Sequence, residues 1–176
     1  MKGIFSRLAA ALVLAMSLAA VAHAASEPEE WIADKKGCKV ANPFPRAGET
    51  ITWTGGCRNG FATGQGVLQW YMNGKEDDRY EGNLEMGWAE GRGTLYKADG
   101  GKYDGEWQQS LQNGMGRYEA PDGSWYDGQW KNGKPNGSGQ YRRPDGRMFM
   151  GQWHDGVFEG DEDGPDEQKQ DDPNRT

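Results

Sequence analysis

One pattern returns every 23 residues along the middle of this chain: Tyr80-x-Gly82-x-Leu84, Tyr103-x-Gly105-x-Trp107, Tyr126-x-Gly128-x-Trp130 and Phe149-x-Gly151-x-Trp153, each with further glycines at fixed offsets behind it. A period of this size means stacked supersecondary units, none able to bury its own apolar face, so that neighbours complete the core. An altered first unit, Trp53 to Gly74, aligns with the next at an offset of 27, and its four extra residues fall within the polar stretch Asn73 to Arg79. The array therefore covers 53–160: the altered unit, three regular units from Tyr80, Tyr103 and Tyr126, and a half unit from Phe149 to Gly160.

The spacing inside a unit predicts strands. In Tyr126-Asp127-Gly128-Gln129-Trp130 the rings and the glycine share one parity and the polar side chains the other, as a half-buried strand requires. Gly133 to Gly137 is expected to turn the chain, Gly137 to Tyr141 to form a second strand, and Asp145-Gly146, like Asp99-Gly100 and Asp122-Gly123, to turn into the next unit. Glycine at this density is costly in helices, and no apolar series runs at helical spacing. Within strands glycine also needs a reason, since it gives up packing and entropy. Rings laid flat across glycine backbone supply one: a single-layer sheet then buries apolar area with no second layer, each ring covering about 150–250 Å².

These residues resemble the membrane occupation and recognition nexus (MORN) repeat, roughly Tyr-x-Gly-x-Trp-x-x-Gly-x-x-x-Gly-x-Gly with a later Asp-Gly. Tyr126, Gly128, Trp130, Gly133, Gly137, Gly139, Asp145 and Gly146 match it throughout; the units from Tyr80 and Tyr103 each depart once, at Leu84 and Ser110. The resemblance implies an all-β, elongated, single-layer antiparallel sheet of stacked hairpins with a groove along one side. It implies binding or scaffolding rather than catalysis, since similar proteins serve as scaffolds or are joined to unrelated catalytic domains, and some are linked to lipid or membrane contact.

The segments flanking the array have other characters. Residues 1–24 read as an exported-protein signal, with Lys2 and Arg7 before the apolar run Leu8 to Val21 and a small-x-small site at Ala22-His23-Ala24. The rival, an uncleaved anchor, wants about 20 apolar residues and a flank that stops transfer. Cleavage would leave a chain that does not span a membrane, with 18 basic against 27 acidic side chains, and hence a periplasmic or secreted location. Residues 25–52 are expected to be a linker, mobile up to Lys36, followed by an irregular cap. Around Asn42-Pro43-Phe44-Pro45 the prolines exclude helix and central strand from Gly37 to Thr50. Cys38 and Cys57, the only cysteines, are expected to form a disulfide stapling that cap. The acidic tail, 161–176, has no apolar residue to bury and is expected to be disordered.

The chemistry expected is recognition. An acidic composition without a basic face argues against nucleic acid. His154 is the only histidine after residue 24, and no Gly-x-Ser-x-Gly elbow occurs, so no catalytic residue, cofactor or metal is assigned. Asp99, Asp122 and Asp145 recur in phase, as do Glu81, Asp104 and Asp127, and are read as turn formers and solvated strand faces, with calcium as the sharper alternative. Trp88, Phe61 and Leu111 share a hairpin position and are expected to stack along one edge. The candidate binding residues are Trp70, Tyr71 and Trp125, aromatics outside the packing positions, and Arg142, Arg143 and Arg147. An unidentified protein or envelope component is the expected partner, and anionic lipid or glycan at the arginines the alternative.

Overall fold

In the computed structural model, which describes residues 31–160, the chain is all strand and forms one open sheet. Its thirteen strands are β1 (Trp31–Ala33), β2 (Lys39–Ala41), β3 (Glu49–Trp53), β4 (Gly56–Arg58), β5 (Phe61–Met72), β6 (Lys75–Glu85), β7 (Trp88–Tyr96), β8 (Lys102–Gln108), β9 (Leu111–Glu119), β10 (Trp125–Lys131), β11 (Lys134–Arg142), β12 (Met148–His154) and β13 (Val157–Phe158). From β5 to β13 every strand pairs antiparallel with the next in sequence, so the array is a run of hairpins laid side by side. The expected signal segment and acidic tail lie outside the described residues.

The parity expected from the motif holds. Along β10, Tyr126, Gly128 and Trp130 are buried while Asp127, Gln129 and Lys131 are exposed. Gly82 on β6 faces Gly93 on β7, and a methyl group on either would collide with the Tyr80 ring; Tyr103 covers Gly105 and Gly116 in the same way, and Tyr126 covers Gly128 and Gly139. Each tyrosine thus spans the glycine of its own strand as well as that of the neighbour. Its hydroxyl then donates to a carbonyl three residues on, Tyr103 to Glu106 at 3.0 Å and Tyr126 to Gln129 at 2.9 Å. The tryptophans reach back across the unit boundary, Trp107 Nε1 donating to Gly93 and Trp130 Nε1 to Gly116, both at 2.9 Å. Rings meet edge to face in an unbroken zigzag, Tyr80, Trp107, Tyr103, Trp130, Tyr126, Trp153, with centroids 5.1 to 5.3 Å apart. That line of rings on one face of the sheet, continued toward the N-terminus by Leu84, Leu68, Ile51 and Val40, is the core of this protein.

The turns differ from the spacing argument in one detail. The hairpin turn of the Tyr126 unit is Asn132-Gly133, both at positive φ, and Lys134 to Asn136 already belong to β11. Two left-handed residues make the turn whose twist suits adjoining strands. Gly137, also at positive φ, lies beside the register shift in the β10–β11 pairing. The Gly133 amide donates to Gln112 of the preceding unit at 3.0 Å, and Gly87, Ser110 and Gly156 do likewise to Ala62, Ala89 and Pro135. A backbone hydrogen bond from each of these turns to the unit before it therefore adds to the ladders in fixing the stacking register.

The N-terminal cap is more regular than its prolines implied. Trp31–Ala33, expected to be mobile, forms β1, and β2 takes an interior place in the sheet path, antiparallel to β1 and briefly parallel to β5. The prolines exclude strand only where they stand, since Lys39–Ala41 ends before Pro43 and keeps its donors. Cys38 and Cys57 are joined, tying the cap to β4.

Candidate binding groove

The departure of the first unit from the 23-residue period builds the site. Its four extra residues lengthen β5 and β6 to 12 and 11 residues, and the extended hairpin rises beside β3, with Glu49 opposite Met72. Residues 42–46, the proline-bearing arm, cross back over the ring face to reach it. Arg46 closes the arm on that hairpin, its guanidinium pairing with Glu49 at 3.0 Å and with Asp77, which lies in the extension. Those two carboxylates, Glu49 first, raise the guanidinium's affinity for its proton. At the other end, Asn42 donates to Glu49 at 2.7 Å and the Ala41 amide to Gly87 at 2.9 Å.

Between arm and sheet lies a cavity of about 770 Å³. Its floor is apolar, with Trp70, Leu84, Leu95 and Trp107 from four different strands, and Pro43, Phe44 and Pro45 form its roof. Its charged and amide or hydroxyl side chains are Asn42, Arg46, Glu49, Asp78, Tyr80, Ser110 and Gln112. Several are already engaged, Asp78 accepting from the Ala98 amide and Ser110 from the Ala89 amide. Phe44 is 77% exposed at the mouth, an apolar ring left largely uncovered. A space of this size, with a wide apolar floor, fits a ligand held largely by contact area.

The six candidate binding residues do not gather in one place. Trp70 lines the cavity; Tyr71, its neighbour, points to the opposite face and pairs in register with Thr50 and Glu76. Trp125 and Arg142 are cross-strand neighbours on that outer face, where the Arg117 guanidinium lies 4.2 Å over the indole. Arg143 stacks 4.5 Å over Phe149, and Arg147 is paired with Asp145 at 2.8 Å. The arginines therefore divide between the faces.

The in-phase aspartates serve the turns. Asp99, Asp122 and Asp145 accept from the amide two residues on, at 2.9 to 3.0 Å. Hydrogen bonds hold all three carboxyls below the usual range, led by the Lys97 side chain for Asp99, Ser124 for Asp122 and the Arg147 amide for Asp145. Among the described residues no group of three or more His, Cys, Asp or Glu side chains converges on a point suited to a metal. The expected edge stack of Trp88, Phe61 and Leu111 is altered. Trp31 wedges edge-on against both Phe61, at 5.0 Å, and Trp88, at 5.7 Å, while Leu111 lines the cavity. Trp31 carried no repeat signal, and the arm none beyond its prolines. Leu95 could have been found, because Leu95, Tyr118 and Tyr141 recur in phase.

No match was found among curated proteins. The MORN repeat profile matches residues 52–75, 80–102, 103–125, 126–146 and 149–160, every unit recognised from the spacing. With more than half of its length matched and with each ring seated on its paired glycines, the chain belongs to the MORN repeat family.

Proposed function

We propose that this protein is a non-catalytic binding scaffold of the periplasm or secreted space, and that its ring face beneath the 42–46 arm receives a protein partner or envelope component. MORN repeats are generally binding modules. The observation that carries the reading is the apolar cavity of about 770 Å³ under an arm clipped by Arg46. The Cys38–Cys57 disulfide supports an oxidising compartment. Among the described residues no helix is long and apolar enough to cross a membrane. Direct contact of Arg142, Arg143 and Arg147 with anionic lipid or glycan has less support, because Arg147 is paired with Asp145 and Arg143 lies on Phe149.

A photo-reactive residue at Leu95 on the ring face, compared with one at the exposed Met115 on the outer face, tests the reading in envelope extract. A discrete protein adduct at Leu95 and none at Met115 is the expected result. Adducts at both positions, or co-sedimentation with anionic vesicles that depends on Arg142, Arg143 and Arg147, would count against it.

A further inference from the structure

Beyond the cavity the ring face continues as a row in strict cross-strand register: Leu95, Tyr103, Tyr118, Tyr126, Tyr141, Phe149. Its members alternate. Tyr103, Tyr126 and Phe149 are buried, whereas Leu95, Tyr118 and Tyr141 are only half-buried and pack against the core from outside. The accessible members thus stand on every second strand, β7, β9 and β11. Neighbouring strands lie about 4.8 Å apart, so these side chains recur at roughly 9.6 Å.

From this period we infer that the partner's bound segment is a proline-rich stretch in the polyproline II conformation, lying across the strands with one side chain on each accessible position. The inference rests on the binding-scaffold reading and names the chemistry of its ligand. A polyproline II helix returns a side chain to the same face every third residue, about 9.3 Å, which keeps step with the row. An extended β-type peptide returns one about every 6.8 Å and falls out of step after a single contact. Hydrogen bonding points the same way. The strands under the row are interior, their ladders taken up by neighbours, so the face offers no free backbone edge to pair with an incoming strand. Polyproline II makes no internal ladder, keeps its carbonyls outward, and is commonly met by aromatic-lined surfaces. Tyr80, Tyr103 and Tyr126 direct their hydroxyls to their own strands, while those of Tyr118, which lies beside Gly101, and of Tyr141 make no hydrogen bond among the described residues. Finally, the chain itself supplies a precedent: Pro43 and Pro45 already lie over the cavity that Leu95 lines, at the start of the row.

The test is titration of the mature, disulfide-intact protein, followed by backbone and side-chain NMR, with a synthetic peptide of repeated Pro-Pro-Leu triplets. A peptide of repeated Gly-Ser-Leu triplets and a β-1,4-linked chito-oligosaccharide are titrated in parallel. Saturable shifts at Leu95, Tyr118 and Tyr141 with the proline peptide alone are expected. Affinity should fall about tenfold or more when Tyr118→Ser and Tyr141→Ser are combined, as for loss of anchoring rings. In case that pair disturbs folding, Tyr118→Phe with Tyr141→Phe keeps the rings, removes the hydroxyls and should weaken binding by a smaller factor. Shifts at the same residues with the glycine peptide but not the proline peptide overturn the inference and leave the scaffold reading in place. Shifts with the oligosaccharide alone overturn the inference in favour of a glycan. A ring face silent to all three probes, in a protein that still yields the protein adduct at Leu95, overturns it while the scaffold reading survives.

Discussion

Gly128 and Gly139 face each other across β10 and β11 with the Tyr126 ring over both, so a side chain there has nowhere to go. A Cβ at Gly128 would stand 2.5 Å from the Cα of Gly139 and 2.6 Å from the Ser138 carbonyl, backbone atoms that no rotamer change can move. Gly128→Val should therefore cost about 3 kcal/mol, while Asp127→Val, on the exposed side of the same strand, should stay within about 0.5 kcal/mol. Urea midpoints compared at an unchanged m-value decide it; equal midpoints would refute the seating of rings on glycine. The same rings set the alkaline limit. Burial, then the charge of Asp127, pushes the Tyr126 phenol up to about 12, and burial raises Tyr80 and Tyr103 as well. Unfolded tyrosine ionises near pH 10. Below that pH both states hold the proton and nothing is lost; above it the unfolded chain has released protons that the folded chain keeps, so stability falls as pH rises. The urea midpoint should be level to about pH 9 and decline steadily from about 10 to about 12.

At the scale of elements, what the sequence made legible was whatever the period repeats. Rings, paired glycines and Asp-Gly turns recur in phase, so each occurrence corroborates the others, and the hairpins follow. The strands within the cap carry no such signal, because β1 and β2 are three residues each, too short for any periodicity, and their strand character comes from docking: Trp31 between Phe61 and Trp88, and the Lys39 amide on Gly60. The cavity was hidden for a related reason, since it depends on Arg46 meeting Asp77 across 31 residues, a pairing without local signature. The turn of the Tyr103 unit illustrates a departure that was visible but not interpretable. Gln109 and Ser110 both stand at positive φ where its neighbour has Asn132-Gly133, and the Ser110 hydroxyl offsets part of the cost by accepting from Ala89. The disulfide holds these docked elements. Replacing Cys38 and Cys57 by alanine should lower stability by about 3 kcal/mol on the loop-entropy scale. It should also speed amide exchange in Trp31–Ala33 well before β8 to β11 respond. Unchanged exchange in β1 would show that Trp31 alone anchors the cap.

For the whole molecule, the array from β5 to β13 pairs only neighbouring strands and its rings join adjacent units, so its stability should behave as a sum of units and boundaries rather than as one indivisible core. Trp107 is where that can be tested. Its ring touches Tyr80 at 5.3 Å and Tyr103 at 5.1 Å, and its indole nitrogen bonds Gly93, so one side chain joins the unit before it to its own. Trp107→Ala removes both ring contacts and leaves the Gly93 carbonyl without its donor, a loss of about 3–5 kcal/mol at a single boundary. The Cys38–Cys57 staple and the long β5–β6 hairpin sit on one side of that cut; the units from Tyr126 onward, joined by Trp130 and Trp153, sit on the other. The two halves should then unfold separately, the C-terminal one first because it has no disulfide. Equilibrium unfolding read by NMR intensities from β6 and from β11 should coincide in the unaltered protein and split in the variant, with β11 lost at the lower urea concentration. Coincident loss in Trp107→Ala would mean that coupling passes through the backbone ladder and the Ser110 to Ala89 hydrogen bond rather than through the rings.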